Sequence, residues 1–241
     1  SLEGGTAVNA IPTEAVAVVL LTDAKVAAFT KQVQEFEATV TSELEATEPN
    51  LSVQLQAVQP PPTQVMNKSF QNTLIDALYG TPQGVLRMSD TIPGLVETST
   101  NLGITRAQDG QLQIVSLPRS LENSELEDAT QMIASVWELA GYQAEITDHY
   151  NAWTPNPDSP ILKQMQSIYK NLFGVDAKAS AIHAGLECST IGDTYPGMDQ
   201  ISLGPTLESV HTASERLYIP SVEKLMKLLS TVLPESPEKQ Q

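Results

Sequence analysis

The stretch that decides the fold runs Val96-Glu97-Thr98-Ser99-Thr100-Asn101-Leu102-Gly103-Ile104, then Gln108-Asp109-Gly110, then Leu112-Gln113-Ile114-Val115-Ser116-Leu117. Two β-rich runs meet across Asp-Gly, a dipeptide suited to the positive φ angles of a tight hairpin turn. Just beyond, residues 124–140 carry Leu126, Ile133, Val136, Trp137 and Ala140 at helical spacing and stop at Gly141, a good C-cap. A hairpin followed by an amphipathic helix predicts an antiparallel sheet covered on one face. The reading is α+β.

Working upstream, 85–88 reads as a strand and 69–79 as a helix ending at Gly80-Thr81-Pro82. Residues 51–58 alternate strictly, predicting a strand with one apolar face, closed by the stiff Pro60-Pro61-Pro62. From Asp23, the positions Val26, Ala27, Phe29, Val33, Phe36, Val40 and Leu44 predict a helix running to Thr47. Residues 6–11 and 15–21 read as the arms of a first hairpin. The helix–strand plan thus occurs twice, giving two related α+β units.

Downstream, 144–147 reads as a short strand. Asn151-Ala152-Trp153-Thr154-Pro155-Asn156-Pro157-Asp158-Ser159-Pro160 then reads as a linker, because three prolines fall in the window. Beyond it come a helix over 161–173 stopped by Gly174, a strand over 177–183, a turn, a strand over 198–203, a loop, and a helix over 220–233. Two strands are too few to close a sheet around a core of their own. The segment therefore reads as the end of an α/β domain. With an opening at Ser1-Leu2-Glu3-Gly4-Gly5 and no initiator Met, the expectation is a fragment.

Composition narrows the function. The chain has 241 residues, 13 Lys and Arg against 29 Asp and Glu, a net charge of −16, three His and one Cys. Such acidity repels phosphate backbones and anionic lipid, which argues against nucleic-acid and membrane-surface roles. Apolar runs such as 15–21 are too short to span a bilayer. Cys188 forms no intrachain disulfide and fits a reducing compartment, so a cytoplasmic location is expected.

The three histidines read differently. His149 lies beside the proline window and reads as a surface histidine. His183 ends an apolar strand and reads as a buried, hydrogen-bonded one. His211, in the loop Gly204–Glu215 of the α/β segment, is a candidate zinc ligand, with Glu215 near enough to orient its ring. Taken alone it is more readily an ordinary loop histidine. Cys188 with His183 or His211 suggests a thiol nucleophile, but acidic neighbours disfavour the thiolate. No Walker sequence, G-x-G-x-x-G, G-x-S-x-G or H-E-x-x-H is present. The residues offer one candidate ligand and no complete site.

Longer strings carry a resemblance. Ala181-Ile182-His183-Ala184-Gly185-Leu186-Glu187-Cys188, then Tyr195-Pro196-Gly197-Met198-Asp199-Gln200-Ile201-Ser202-Leu203-Gly204-Pro205-Thr206, closely resembles the end of bacterial aminoacyl-histidine dipeptidases. The likeness continues in Glu215-Arg216-Leu217-Tyr218-Ile219-Pro220-Ser221-Val222. Upstream it includes Glu3-Gly4-Gly5-Thr6, Asn9-Ala10-Ile11-Pro12, Gly84-Val85-Leu86-Arg87-Met88-Ser89-Asp90, Val96-Glu97-Thr98-Ser99 and Arg119-Ser120. These enzymes are the carnosine-cleaving branch of a di-zinc family that also holds peptidase T and carboxypeptidase G.

The resemblance implies an α/β catalytic domain interrupted by an enlarged α+β lid. Residues 1–152 then match most of a lid that gates substrate and makes dimer contacts, and residues 153–241 the returning C-terminal part of the catalytic domain. It implies that His211 is the last zinc ligand, that Asn9 and Arg119 grip substrate, Arg119 by a bidentate contact to a carboxylate, and that Gly185 and Glu187 line the substrate's other end. Two zinc ions, or another divalent metal, would activate the attacking water of a dipeptide hydrolase. The family's remaining ligands precede the lid, in an H-x-D pair, a Glu-Glu pair and two further Asp, and none is in this chain. The chain alone is therefore expected to be inactive and to need the N-terminal catalytic segment, with a homodimer as the assembly.

Departures sit at named positions. His211-Thr212-Ala213-Ser214-Glu215 stands where the family shows H-S-P-D-E, Ser189 where Gly follows the cysteine, and Val8 where an Arg precedes the asparagine. Plainer readings stay open beside the implied ones. Arg119 could pair with an acidic neighbour, Asn9 could be a strand-end polar residue, and Glu187 could sit in a helix's first turn. The alternative function is a non-catalytic dimerisation or binding module derived from the lid.

Overall fold

The computed structural model describes residues 1–147, 150–183, 186–210 and 214–235. Its elements are β1 (Leu2–Gly4), β2 (Ala15–Ala17), α1 (Asp23–Leu44), α2 (Lys68–Gly80), β3 (Gly84–Met88), β4 (Val96–Gln108), β5 (Gln111–Ser120), α3 (Asn123–Leu139), α4 (Pro160–Phe173), α5 (Glu187–Thr194), β6 (Leu207–Glu208), β7 (Arg216–Leu217) and α6 (Ile219–Glu235). Helices mix with open antiparallel sheets, so the fold is α+β. The chain divides into two compact units, Ser1–Thr81 with Asn101–Leu117, and Pro82–Thr100 with Pro118–Gln241. Both β4 and β5 run from one unit into the other.

In the first unit β1 pairs antiparallel with β2 (Leu2↔Ala17, Gly4↔Ala15) and with the second half of β4 (Leu2↔Ala107, Gly4↔Thr105). The turn before β5 is the expected one, with Asp109 at φ 51° and Gly110 at φ 75°. Helix α2 opens on Asn67, whose side chain accepts the Phe70 amide at 2.8 Å, and buries Leu74 and Ala77. Helix α1 buries no residue at all, and Phe36 is 58% exposed.

The first hairpin differs from expectation. Its arms are Leu2–Gly4 and Ala15–Ala17, while residues 6–11 form the intervening loop. Gly5, at φ 70°, turns the chain out of the ladder there. The expected strand over 51–58 also joins no ladder. The Val53 amide donates instead to the Glu37 carboxylate of α1 at 2.9 Å. Residues 144–147 likewise join no sheet. The strands expected over 177–183 and 198–203 find no ladder partner among the described residues. Alternation makes a segment strand-competent, but only a neighbouring backbone makes it a strand.

In the second unit β3 pairs antiparallel with the first half of β4 (Gly84↔Thr100, Met88↔Val96), with register shifts around Arg87. Arg87 binds three carboxylates, Asp90 at 2.8 Å, Glu97 at 3.0 Å and Glu125 of α3 at 2.7 Å. Helix α3 buries Leu126, Ala129, Ala134 and Trp137. Helices α4 and α6 enclose Met165, Ile168, Leu228 and Val232. Ser159 caps α4 by accepting the Leu162 amide, Pro160 occupies its first turn, and Gly174 ends it in the left-handed region. Residues 151–158, before that cap, form no helix or strand. Helix α5 fills part of the region read as a turn. No helix among the described residues is long and apolar enough to cross a membrane.

Candidate functional site

Arg119 is the second-to-last residue of β5, and it is half-buried. Every other described lysine or arginine is exposed. Among the described residues Arg119 has no ion-pair partner, although acidic residues outnumber basic ones 29 to 13. A guanidinium partly withdrawn from water without a counter-charge is costly to hold and suited to an incoming carboxylate.

His183 lies within electrostatic reach of it. The ring Nε2 lies 2.6 Å from the Ser99 hydroxyl of β4, and the ring is half-buried. Burial pushes the imidazole below its ordinary value, the nearby Arg119 charge pushes it further, and a backbone hydrogen bond at Val96 opposes both. The net effect disfavours the protonated ring. Thr98 and Ser120 bond to each other at 2.9 Å across β4 and β5. Alternation along each strand turns Ser99 and Arg119 away from that pair. Sequence reasoning placed His183 as a hydrogen-bonded histidine but gave Ser99 no role, since a serine within a β-rich run carries no signal.

Asn9 belongs to the first unit and sits exposed in the turn of the 6–11 loop. Asn101 of β4 holds that turn. Its Nδ2 donates to the carbonyls of Val8 and Ala10, both at 2.8 Å, so the two bonds straddle Asn9. Gly103 lets the loop approach, because a Cβ there would lie 2.6 Å from Val8 Cα and 2.8 Å from Val8 O. Neither Asn101 nor Gly103 stood out in the sequence; their spacing of two, on one face of β4, was the available signal.

No family model matches the chain. It is 36% identical over 236 residues to the cytosol non-specific dipeptidase of Escherichia coli (strain K12), a match covering 98% of this chain and 48% of that protein. It superposes on the crystal structure of aminoacylhistidine dipeptidase from Vibrio alginolyticus with a TM-score of 0.84 at 32% identity, over 99% of this chain and 49% of that one. The chain is a homologue of bacterial dipeptidases. It spans about half the length of the relatives it matches.

For a dipeptidase homologue, the remaining expected positions divide. Glu187 is the first residue of α5 and exposed, so the helix first-turn reading describes its place in this structure. Burial pushes the Cys188 thiol up and Glu187 pushes it further, so a thiolate nucleophile finds no support. Gly185, His149 and His211 lie outside the described residues. Among the described residues no three His, Cys, Asp or Glu side chains gather to hold a metal ion. The described residues do not themselves make up a zinc site.

Proposed function

We propose that this chain supplies the substrate-gripping part of a dipeptidase acting on Xaa-His-type dipeptides. The observation that carries the reading is Arg119, half-buried and without a counter-charge among the described residues, in a chain homologous to dipeptidases. In this reading Arg119 clamps the substrate carboxylate, Asn9 binds from the loop held by Asn101, and Gly185 and Glu187 meet the free amino end. Residues 1–152 act as the substrate-gating lid and 153–241 as part of the catalytic domain. His211 contributes a zinc ligand in the intact protein. The name of the Escherichia coli relative supports a cytosolic setting.

The test is reconstitution. The chain is co-expressed with the half of the Escherichia coli dipeptidase that it does not span, and dipeptide hydrolysis is measured. Activity is expected from the pair and not from the chain alone. Arg119→Ala should lower kcat/KM by about 10² or more, since a lost charged hydrogen bond is worth about 1.5–3 kcal/mol and a bidentate clamp exceeds a single one. His211→Ala should reduce zinc bound by the pair. A co-purifying pair that neither hydrolyses dipeptides nor binds zinc overturns the proposal.

The apolar residues exposed on α1, including Val26, Phe36 and Leu44, support a homodimer through that helix.

A further inference from the structure

Within the second unit, three facts concern the same few side chains. Arg119 is half-buried without a counter-charge among the described residues. His183 lies within electrostatic reach of it. The ring is bonded to Ser99, which the strand turns to the same face as Arg119. We infer that Arg119, His183 and Ser99 make up one carboxylate subsite, in which Arg119 clamps the anion and the Ser99–His183 pair adds a donor once a proton is taken up. The inference rests on the dipeptide reading above and adds to it a proton-linked specificity for a free carboxylate.

The hydrogen-bond inventory gives the device. A neutral ring that donates to the backbone at Val96 accepts the Ser99 hydroxyl proton at Nε2. Ser99 is then turned to the ring and offers a ligand nothing. A proton taken from solvent on Nε2 reverses the bond. Nε2–H now donates to Ser99 Oγ, and the serine's own proton is free to turn to an anion. One proton enters and no covalent bond to carbon changes.

Arg119 sets when this happens. Its charge opposes protonation of His183 while the site is empty, and a carboxylate seated on the guanidinium cancels that opposition. Proton and carboxylate therefore favour each other's binding by equal factors. Among the described residues, other charges do not take over this role. Glu97 of β4 is held by Arg87, and Glu187 of α5 acts on Cys188 rather than on the ring. His183 is a positioning residue here, acting through Ser99.

The experiment follows the His183 imidazole of the full chain by NMR titration, with the His183→Gln spectrum as the assignment. The probes are N-acetyl-alanyl-glycine, which has no group of its own titrating between about pH 5 and 8, and its C-terminal amide. The acid should raise the His183 midpoint by about one pH unit, which corresponds to about tenfold tighter binding of the acid to the protonated site. The amide should leave the midpoint where it was. In His183→Gln the side-chain amide takes up no proton in this range, so binding of the acid should lose its pH dependence. Ser99→Ala should lose the gain on acidification while Arg119-dependent binding persists.

A midpoint unmoved by saturating acid, an equal shift with the amide, or a pH dependence surviving in His183→Gln overturns the inference. No hydrolysis is read, so failure of the dipeptidase reading and failure of this subsite are separate outcomes.

Discussion

His183 ties the stability of the fold to pH. Its folded-state value lies below the ordinary 6.5, so in the interval between the two the unfolded chain binds more protons than the folded one. Stability contributed by the neutral ring is present above that ordinary value and falls as pH drops through it towards the folded-state value. Acid protonation of the carboxylates adds a separate slope at lower pH. Melting temperature measured at half-unit steps from about pH 7.5 to 5 should therefore fall less steeply in His183→Gln than in the parent chain. Parallel curves would remove the ring from the pH response. The ring is half-exposed, so solvent screening keeps the difference modest.

Elements explain what single residues do not. The strand β4 serves both units: its first half carries Ser99 and its second half carries Asn101 and Gly103. The bonds from Asn101 fix the turn around Asn9 only if the loop lies flat on the strand, which the missing Cβ of Gly103 permits. Gly103→Ala should push the loop away at a cost of about 1–3 kcal/mol, read as a lower melting temperature and a displaced Asn9 amide resonance. Asn9 signals unchanged in the variant would refute the packing argument. The helix α1 makes the opposite case, being long and amphipathic in sequence, with Phe29, Val33 and Val40 only half-buried and no residue fully buried. Exposed apolar side chains such as Val26, Phe36 and Leu44 are a liability that a second copy would remove. Light scattering should find a dimer for the parent chain and a monomer for Phe36→Asp, and a monomeric parent would end the proposal.

At the scale of the whole molecule, the legible part was the part written in local chemistry. Asp109-Gly110, the stop at Gly174 and the periodicities of α1, α2, α3 and α4 placed those elements to within a few residues. Segments 51–58, 177–183 and 198–203 misled because alternation says which face is apolar and not which backbone lies alongside. The candidate site was legible only through long strings: Arg119 looked like any cation until its half-burial and the want of an ion-pair partner among the described residues were visible, Ser99 carried no signal of its own, and Asn101 and Gly103 offered only their spacing of two. Charge is the global property that remains. Six ion pairs hold among the described residues, and in each at least one partner is substantially exposed. Such pairs contribute little each. A net charge of −16, by contrast, repels itself throughout the chain. Raising ionic strength from about 0.01 M to 0.15 M shortens the screening length from about 30 Å to 8 Å, which should weaken the long-range repulsion more than the close pairs. The melting temperature should therefore rise with added sodium chloride over that interval. A fall would mean that the Arg87 cluster and its like outweigh the repulsion.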